Sequence, residues 1–226
     1  MDKRSFTTIE RHMLECMNDA SHDEQHAYRV LYAALDIASG YQADLDVLIA
    51  AALLHDIGRK AQFRDPSLDH AAVGAEKAFA FLTGQGWTEE KAARVRDCIA
   101  AHRYRKRGAE PSTIEAKILF DADKLDVAGT IGIARTLAYK GAVGEALYSI
   151  SPLGEALDGS GDEGPSFFRE YHFKLKNVYG KFYTERAREL AEGRREASVR
   201  FYESMRGEVE ETHRIGMRRL EEALEV

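Results

Sequence analysis

The sequence has no apolar run approaching the roughly 20 residues of a membrane span, and it begins MDKRSFTTIERHMLECMNDASHDEQH, with charges where a signal peptide would need an apolar stretch. The expectation is a cytoplasmic chain with no membrane partner. Only 2 cysteines are present, Cys16 and Cys98, and they form no CxxC pair. That excludes a disulfide scaffold and a cysteine-built zinc or redox centre, and both read as small buried hydrophobes. Neither a GxSxG elbow nor a GxxxxGK[ST] loop occurs, so acyl-enzyme and P-loop mechanisms lack their parts. Repeats and low-complexity tracts are also missing.

Composition then narrows the class. Hydrophobic residues make up 44% of the 226 positions and charged residues 31%, enough to bury a sizeable core. The formal net charge of −6 argues against a general nucleic-acid binder, although HRYRKR at 102–107 is a local basic cluster. With only 4 prolines, and with apolar residues recurring at three- and four-residue spacing, the pattern is helical nearly throughout. Helices are expected at about 7–18, 23–39 (capped by Ser21 or Asp23), 44–56, 69–83, 88–102 and 111–139, with one or two long ones over 167–222. The segment DLDVLIAAALLHD at 44–56 is apolar around most of its circumference, as a helix in the middle of a bundle must be. Residues 141–165 are rich in glycine and acids and contain Pro152 and Pro165, which reads as a mobile loop or lid. The division expected is a helical core over 1–140, the loop over 141–165, and C-terminal helices packing on the core over 166–226.

Chemistry concentrates in four places. The apolar helix ends in His55-Asp56, an imidazole and a carboxylate at the rim of the core, which an ordinary polar helix end would also present. In SHDEQHAYRV, His22 and His26 are one helical turn apart, so His22 is either a surface residue or a group that touches substrate or orients His26. In LFDADKLD, Asp121 directly follows the apolar Ile118-Leu119-Phe120 and so is better placed to meet a metal than a residue on a solvated face. His70 and His102 complete the set. Two imidazoles and two carboxylates from three helices suit Mn, Fe, Co, Ni or Zn better than Ca, with Mg also open. Such mixed ligation leaves positions for water and a phosphate oxygen.

The ordered set His26, His55-Asp56, Asp121 resembles the H…HD…D signature of HD-domain metal hydrolases. The flanking strings HDEQHAYRV, AALLHDIG and DADKLDVAGTIGIART are similar to those of small bacterial HD hydrolases that include nucleoside triphosphate pyrophosphohydrolases. The resemblance covers residues 20–140 strongly and the tail more loosely. It implies an all-α bundle with a C-terminal helical extension, and a metal held by His26, His55, Asp56 and Asp121. The substrate implied is a small phosphorylated molecule, a nucleotide or related ester or anhydride, attacked by metal-activated water. Histidines at the positions of His70 and His102 serve a second metal in one branch of the superfamily. Here they are assigned to phosphate binding, outer support or proton donation. Lys60 and Lys124 are assigned to phosphate, while Arg59 beside them reads as a solvated side chain. A di-iron HD-fold oxygenase, a nucleotide sensor without turnover, and a homodimer stay open.

Overall fold

The computed structural model describes residues 1–17, 24–103, 110–162 and 164–224. His22, the Ser21 and Asp23 caps, and residues 104–107 of the basic cluster lie outside the described residues. Within them the chain is all-α, without a strand, in two compact units. Unit 1 is Met1–Asp126 with Phe182–Ala187; unit 2 is Val127–Lys181 with Arg188–Val226. No described helix is long and apolar enough to cross a membrane.

Unit 1 is built on a helix short of polar residues. Helix α3 (Leu45–Leu54) buries Val47, Leu48 and the whole of Ala50–Leu54. Its three alanines let neighbours approach closely, and each buried Leu or Val contributes roughly 1.5–3 kcal/mol. Against α3 pack α1 (Lys3–Cys16), α2 (Glu24–Ala38), α6 (Glu89–Ala100) and α7 (Ile114–Leu125), while α5 (His70–Gly84) packs on α6 and on the short α4 (Arg59–Arg64). Side chains of Asp2, Asp44, Asp69, Thr88 and Thr113 accept amides at the starts of α1, α3, α5, α6 and α7, each cap being worth about 1 kcal/mol.

Two helices expected to run on are broken. The helix read over 44–56 ends at Leu54, and a turn carries His55 and Asp56 before α4 begins. Gly58 makes that turn possible through space and not through dihedral freedom. A Cβ there would lie 2.1 Å from the His70 carbonyl oxygen and 2.7 Å from the Gly74 nitrogen. The helix read over 111–139 stops at Leu125, and α8 (Gly129–Ala142) begins afresh. Gly129 has φ +77°, a conformation that L side chains rarely adopt and that ends a helical run.

Unit 2 has its own core. Helix α9 (Phe167–Phe173) and a 3₁₀ turn (Leu175–Gly180) bring Phe167, Phe168, Tyr171 and Leu175 against Ile133 and Tyr202. Tyr171 and Tyr202 stack at 4.0 Å. Tyr202 lies in α10 (Glu185–Leu224), so the tail expected as one or two long helices is a short helix, a 3₁₀ turn and one long helix. The glycine-rich stretch from 141 is non-helical after Ala142 and folds back on itself, with Ser151 N–H donating to Glu155 and Leu157 N–H to Ser149.

Candidate metal centre

Five of the residues singled out in the sequence come together in unit 1. His26 projects from α2, His55 and Asp56 from the turn after α3, His70 from the start of α5, and His102 from just beyond α6. All five are buried, none more than 2% exposed. The sixth member is Asp123 on α7, whose Oδ1 is 3.3 Å from His26 Nε2.

The imidazoles are oriented alike, each by an acceptor on Nδ1. Asp126 Oδ2 takes the His26 Nδ1–H at 2.7 Å, the Ala52 carbonyl that of His55 at 2.8 Å, Gln62 Oε1 that of His70 at 2.6 Å, and the Ile99 carbonyl that of His102 at 2.6 Å. Gln62 donates its own amide to the Leu68 carbonyl, which turns its Oε1 toward His70. Arg103 Nη1 also lies 3.2 Å from His70 Nδ1, but a guanidinium has nothing to accept with, and the shorter Gln62 contact decides the tautomer. Four Nε2 atoms are thereby left facing one space, the arrangement a metal-binding histidine requires.

Asp56 stands between two groups. Its Oδ2 is 3.4 Å from both His26 Nε2 and His55 Nε2, and its Oδ1 is 3.4 Å from His70 Nε2 and 3.8 Å from His102 Nε2. His26, His55 and Asp123 form one set able to hold a cation, and Asp56, His70 and His102 another. Asp56 Oδ1, His70 Nε2 and His102 Nε2 are buried without a hydrogen bond among the described residues. All three are acceptors and cannot satisfy one another, and leaving them so costs several kcal/mol unless a cation intervenes. The residues present therefore fit a divalent ion.

Electrostatics separate the two sets. Burial alone would lower the His26 value, but hydrogen bonds to Asp123, Asp126 and Asp56 outweigh it and raise it to about 10. Burial pushes His70 down to about 3 and His102 down to about 4, so both are neutral near pH 7. Bare, neutral Nε2 atoms suit ligation of a cation. Burial would raise the Asp56 carboxyl, yet His55, Arg59 and His26 hold it well below the usual carboxylate range. Arg59 reaches Asp56 Oδ2 with Nε at 2.5 Å. It is no merely solvated side chain. Side-chain exposure is 15% at Asp123 and 42% at Arg59 against 3% or less at His26, His55 and Asp56, so access is from the side of Asp123 and Arg59.

Asp121 departs from the sequence reading. Its oxygens accept the amides of Tyr183 (2.9 and 3.1 Å) and Thr184 (2.7 Å) and the Thr184 hydroxyl (2.6 Å), which ties it to the chain entering α10. Two residues turn a helix by roughly 200°, so Asp121 and Asp123 occupy opposite faces of α7. The signal that separates them is a spacing: Asp123 on α7 and Asp126 at its C-terminal cap are three residues apart, opposite His26 and Arg29, one turn apart on α2. Arg29 Nε donates to Asp126 Oδ1 at 2.6 Å. Lys124 lies with its ammonium 5.3 Å from the centre of the Phe120 ring, and Lys60 is close enough to Cys16 to act on its thiol.

The comparisons agree with this geometry. The HD domain family model matches residues 24–128. YpgQ of Bacillus subtilis (strain 168), an uncharacterized protein, is 32% identical over 194 residues, which span 84% of this chain and 85% of YpgQ. The chain belongs to the HD-domain family. A crystal structure of YpgQ in complex with ADP is 28% identical with a TM-score of 0.69, covering 90% of this chain and 97% of that one. A predicted HD superfamily hydrolase from an uncultured Thermotogales bacterium is 30% identical with a TM-score of 0.59, covering 91% of this chain and 92% of that one.

Proposed function

We propose that this HD-domain protein is a metal-dependent phosphohydrolase whose substrate is a nucleotide, cleaved at a phosphate ester or anhydride bond. In this reading His26, His55, Asp56 and Asp123 hold one divalent cation, with Asp123 replacing Asp121 of the sequence reading. Asp56, His70 and His102 would hold a second. The observation that carries it is the convergence of four imidazole Nε2 atoms on a carboxylate whose Oδ1 has no hydrogen bond among the described residues. Bound cations would supply Lewis acidity toward phosphorus and an acidified water as nucleophile.

The protein's own groups do the rest. Asp126 fixes the His26 ring and keeps its Nε2 aimed inward, and Arg29 anchors Asp126 in turn. Arg59, at the accessible side and already on Asp56, offers its guanidinium to substrate phosphate. Nucleotide as the substrate class is supported by the ADP complex of YpgQ.

The test is a panel of nucleoside mono-, di- and triphosphates assayed with Mn, Co, Ni and Mg, with products resolved as phosphate or pyrophosphate. Metal-dependent release from at least one member is expected. Tight binding without turnover under every metal would make the protein a sensor and overturn the proposal. The two-set geometry also favours a second reading, a di-iron oxygenase. Two irons per chain with a redox-dependent spectrum, and no hydrolysis, would establish that reading instead.

A further inference from the structure

Helix α4 borders the accessible side of the site, and two contacts fix its phase. Arg59 Nε donates to Asp56 Oδ2 at 2.5 Å, and Gln62 Oε1 accepts from His70 Nδ1 at 2.6 Å. The face that carries Arg59 and Gln62 is therefore the one turned to the candidate metal centre. At roughly 100° per residue, Gln62 lies about 60° to one side of Arg59 and Phe63 about 40° to the other, so Phe63 flanks that face. Arg59 and Phe63 are one helical turn apart, with Cβ atoms about 5–6 Å from each other. Helical side chains lean toward the N-terminus of their helix, which carries the Phe63 ring toward the turn of Arg59.

Phe63 is the most exposed large apolar side chain of unit 1 among the described residues, at 76%. Phe79, Phe120 and Phe173 each have a cation near the ring, from Arg96 at 5.4 Å, Lys124 at 5.3 Å and Arg169 at 5.1 Å. Phe63 meets neither a cation nor another ring among the described residues. A lone exposed apolar side chain is ordinary by itself, and its surroundings say what suits this one. The α4 sequence RKAQFR has three cations and no acid, in a chain of net charge −6. With Arg59, Lys60 and Arg64 about the ring, α4 offers no continuous apolar surface to a protein partner. It suits a flat π-face joined to an anion.

We propose that Phe63 is the stacking platform for the nucleobase, so that a nucleotide lies along α4 with its phosphates at Arg59 and the candidate metal centre and its base on the ring. This rests on the nucleotide reading above and adds the residue that holds the base. A basic track beside an aromatic face is how nucleotides are held without reading base edges, because every base has a π-face. Such a platform separates a nucleotide from a phosphate compound that lacks a base.

The experiment is titration calorimetry on the full chain with Mn and two probes. One is adenosine α,β-methylene diphosphate, and the other is methylenediphosphonate, which has the same bridge and no base. F63A should weaken the first by roughly 5- to 100-fold, the worth of one base–aromatic stack, and leave the second unchanged. F63W should bind the nucleotide at least as tightly as wild type, and its indole fluorescence should be quenched by the nucleotide and not by methylenediphosphonate. Because the side chain is already in solvent, the melting temperature and Mn stoichiometry of F63A should match wild type. Equal nucleotide affinity in F63A and wild type, or an equal loss for both probes, would overturn the assignment. The hydrolase reading fails separately: nucleotide held through Phe63 but turned over with no metal would keep the platform and make the protein a sensor. A wild-type chain that binds no nucleotide would overturn both.

Discussion

Asp121 and Asp123 differ by two positions in sequence and by opposite roles in the structure, and a pair of substitutions separates them. Asp121 accepts two amides and a hydroxyl from Tyr183 and Thr184, of which Thr184 is buried. Hydrogen bonds to a charged acceptor are worth ~1.5–3 kcal/mol each, and truncation leaves the donors unsatisfied. Asp121→Ala should therefore cost about 4 kcal/mol, which for a chain of this size lowers the melting temperature by roughly 8–16 °C. It should leave metal stoichiometry intact below that temperature. Asp123→Ala should act on the metal instead. Burial would raise the Asp123 carboxyl, but His26 at 3.3 Å holds it well below the usual carboxylate range, so its removal costs some metal-free stability too, and the loss of metal is what sets it apart from Asp121→Ala. Metal affinity should fall by more than the ~10–100-fold that a residue supporting a ligand is worth. Scanning calorimetry with chelator and titration calorimetry with Mn measure the two effects on the same samples. If Asp121→Ala abolished metal binding while Asp123→Ala bound stoichiometrically, the placement of the two faces of α7 would be wrong.

Other outcomes follow from single contacts. Asp126→Asn exchanges the acceptor that orients His26 for an amide and unpairs Arg29; metal affinity should fall about 10–100-fold, and an unchanged dissociation constant would deny Asp126 its orienting role. Gly58→Ala drives a methyl into the His70 carbonyl, so about 3 kcal/mol of stability should be lost together with the second of two bound metals, and retention of both by elemental analysis would refute the close approach. His26, raised to about 10 from 6.5, contributes to metal-free stability fully below pH 6.5 and loses that contribution as pH rises through 10. Because a cation must displace that proton, affinity of the first site should climb about tenfold per pH unit between pH 6 and 8. The second site, with His70 at about 3 and His102 at about 4, should gain nothing from those histidines over the same range; equal slopes for both sites in a pH series would contradict this.

Much of the architecture can be read from local pattern, because helix period, caps and the apolar circumference of 44–56 are properties of neighbouring residues. The histidines of the candidate site were legible for the same reason: His26, and His55-Asp56 at the end of an apolar run, announce a polar group at the rim of a core. The breaks at Leu54 and Leu125 were not legible. Each depends on what the chain meets after it turns: Gly58 on the backbone of His70 and Gly74, Asp126 on His26 and Arg29.

The sequence by itself determined that the protein is helical, that it is built on a buried alanine-rich helix, and that imidazoles and carboxylates accompany that helix in the order of an HD domain. Only the tertiary structure decided which acid of DADKLD faces the histidines, that His70 and His102 join Asp56, and which nitrogen of each ring is left bare. The physical reason is that a ligand set is a property of several helices at once. A residue's type is written locally, but the direction of its side chain is set by the phase of its helix against its neighbours, and a phase error of two residues turns the same carboxylate from the metal site to the start of another helix.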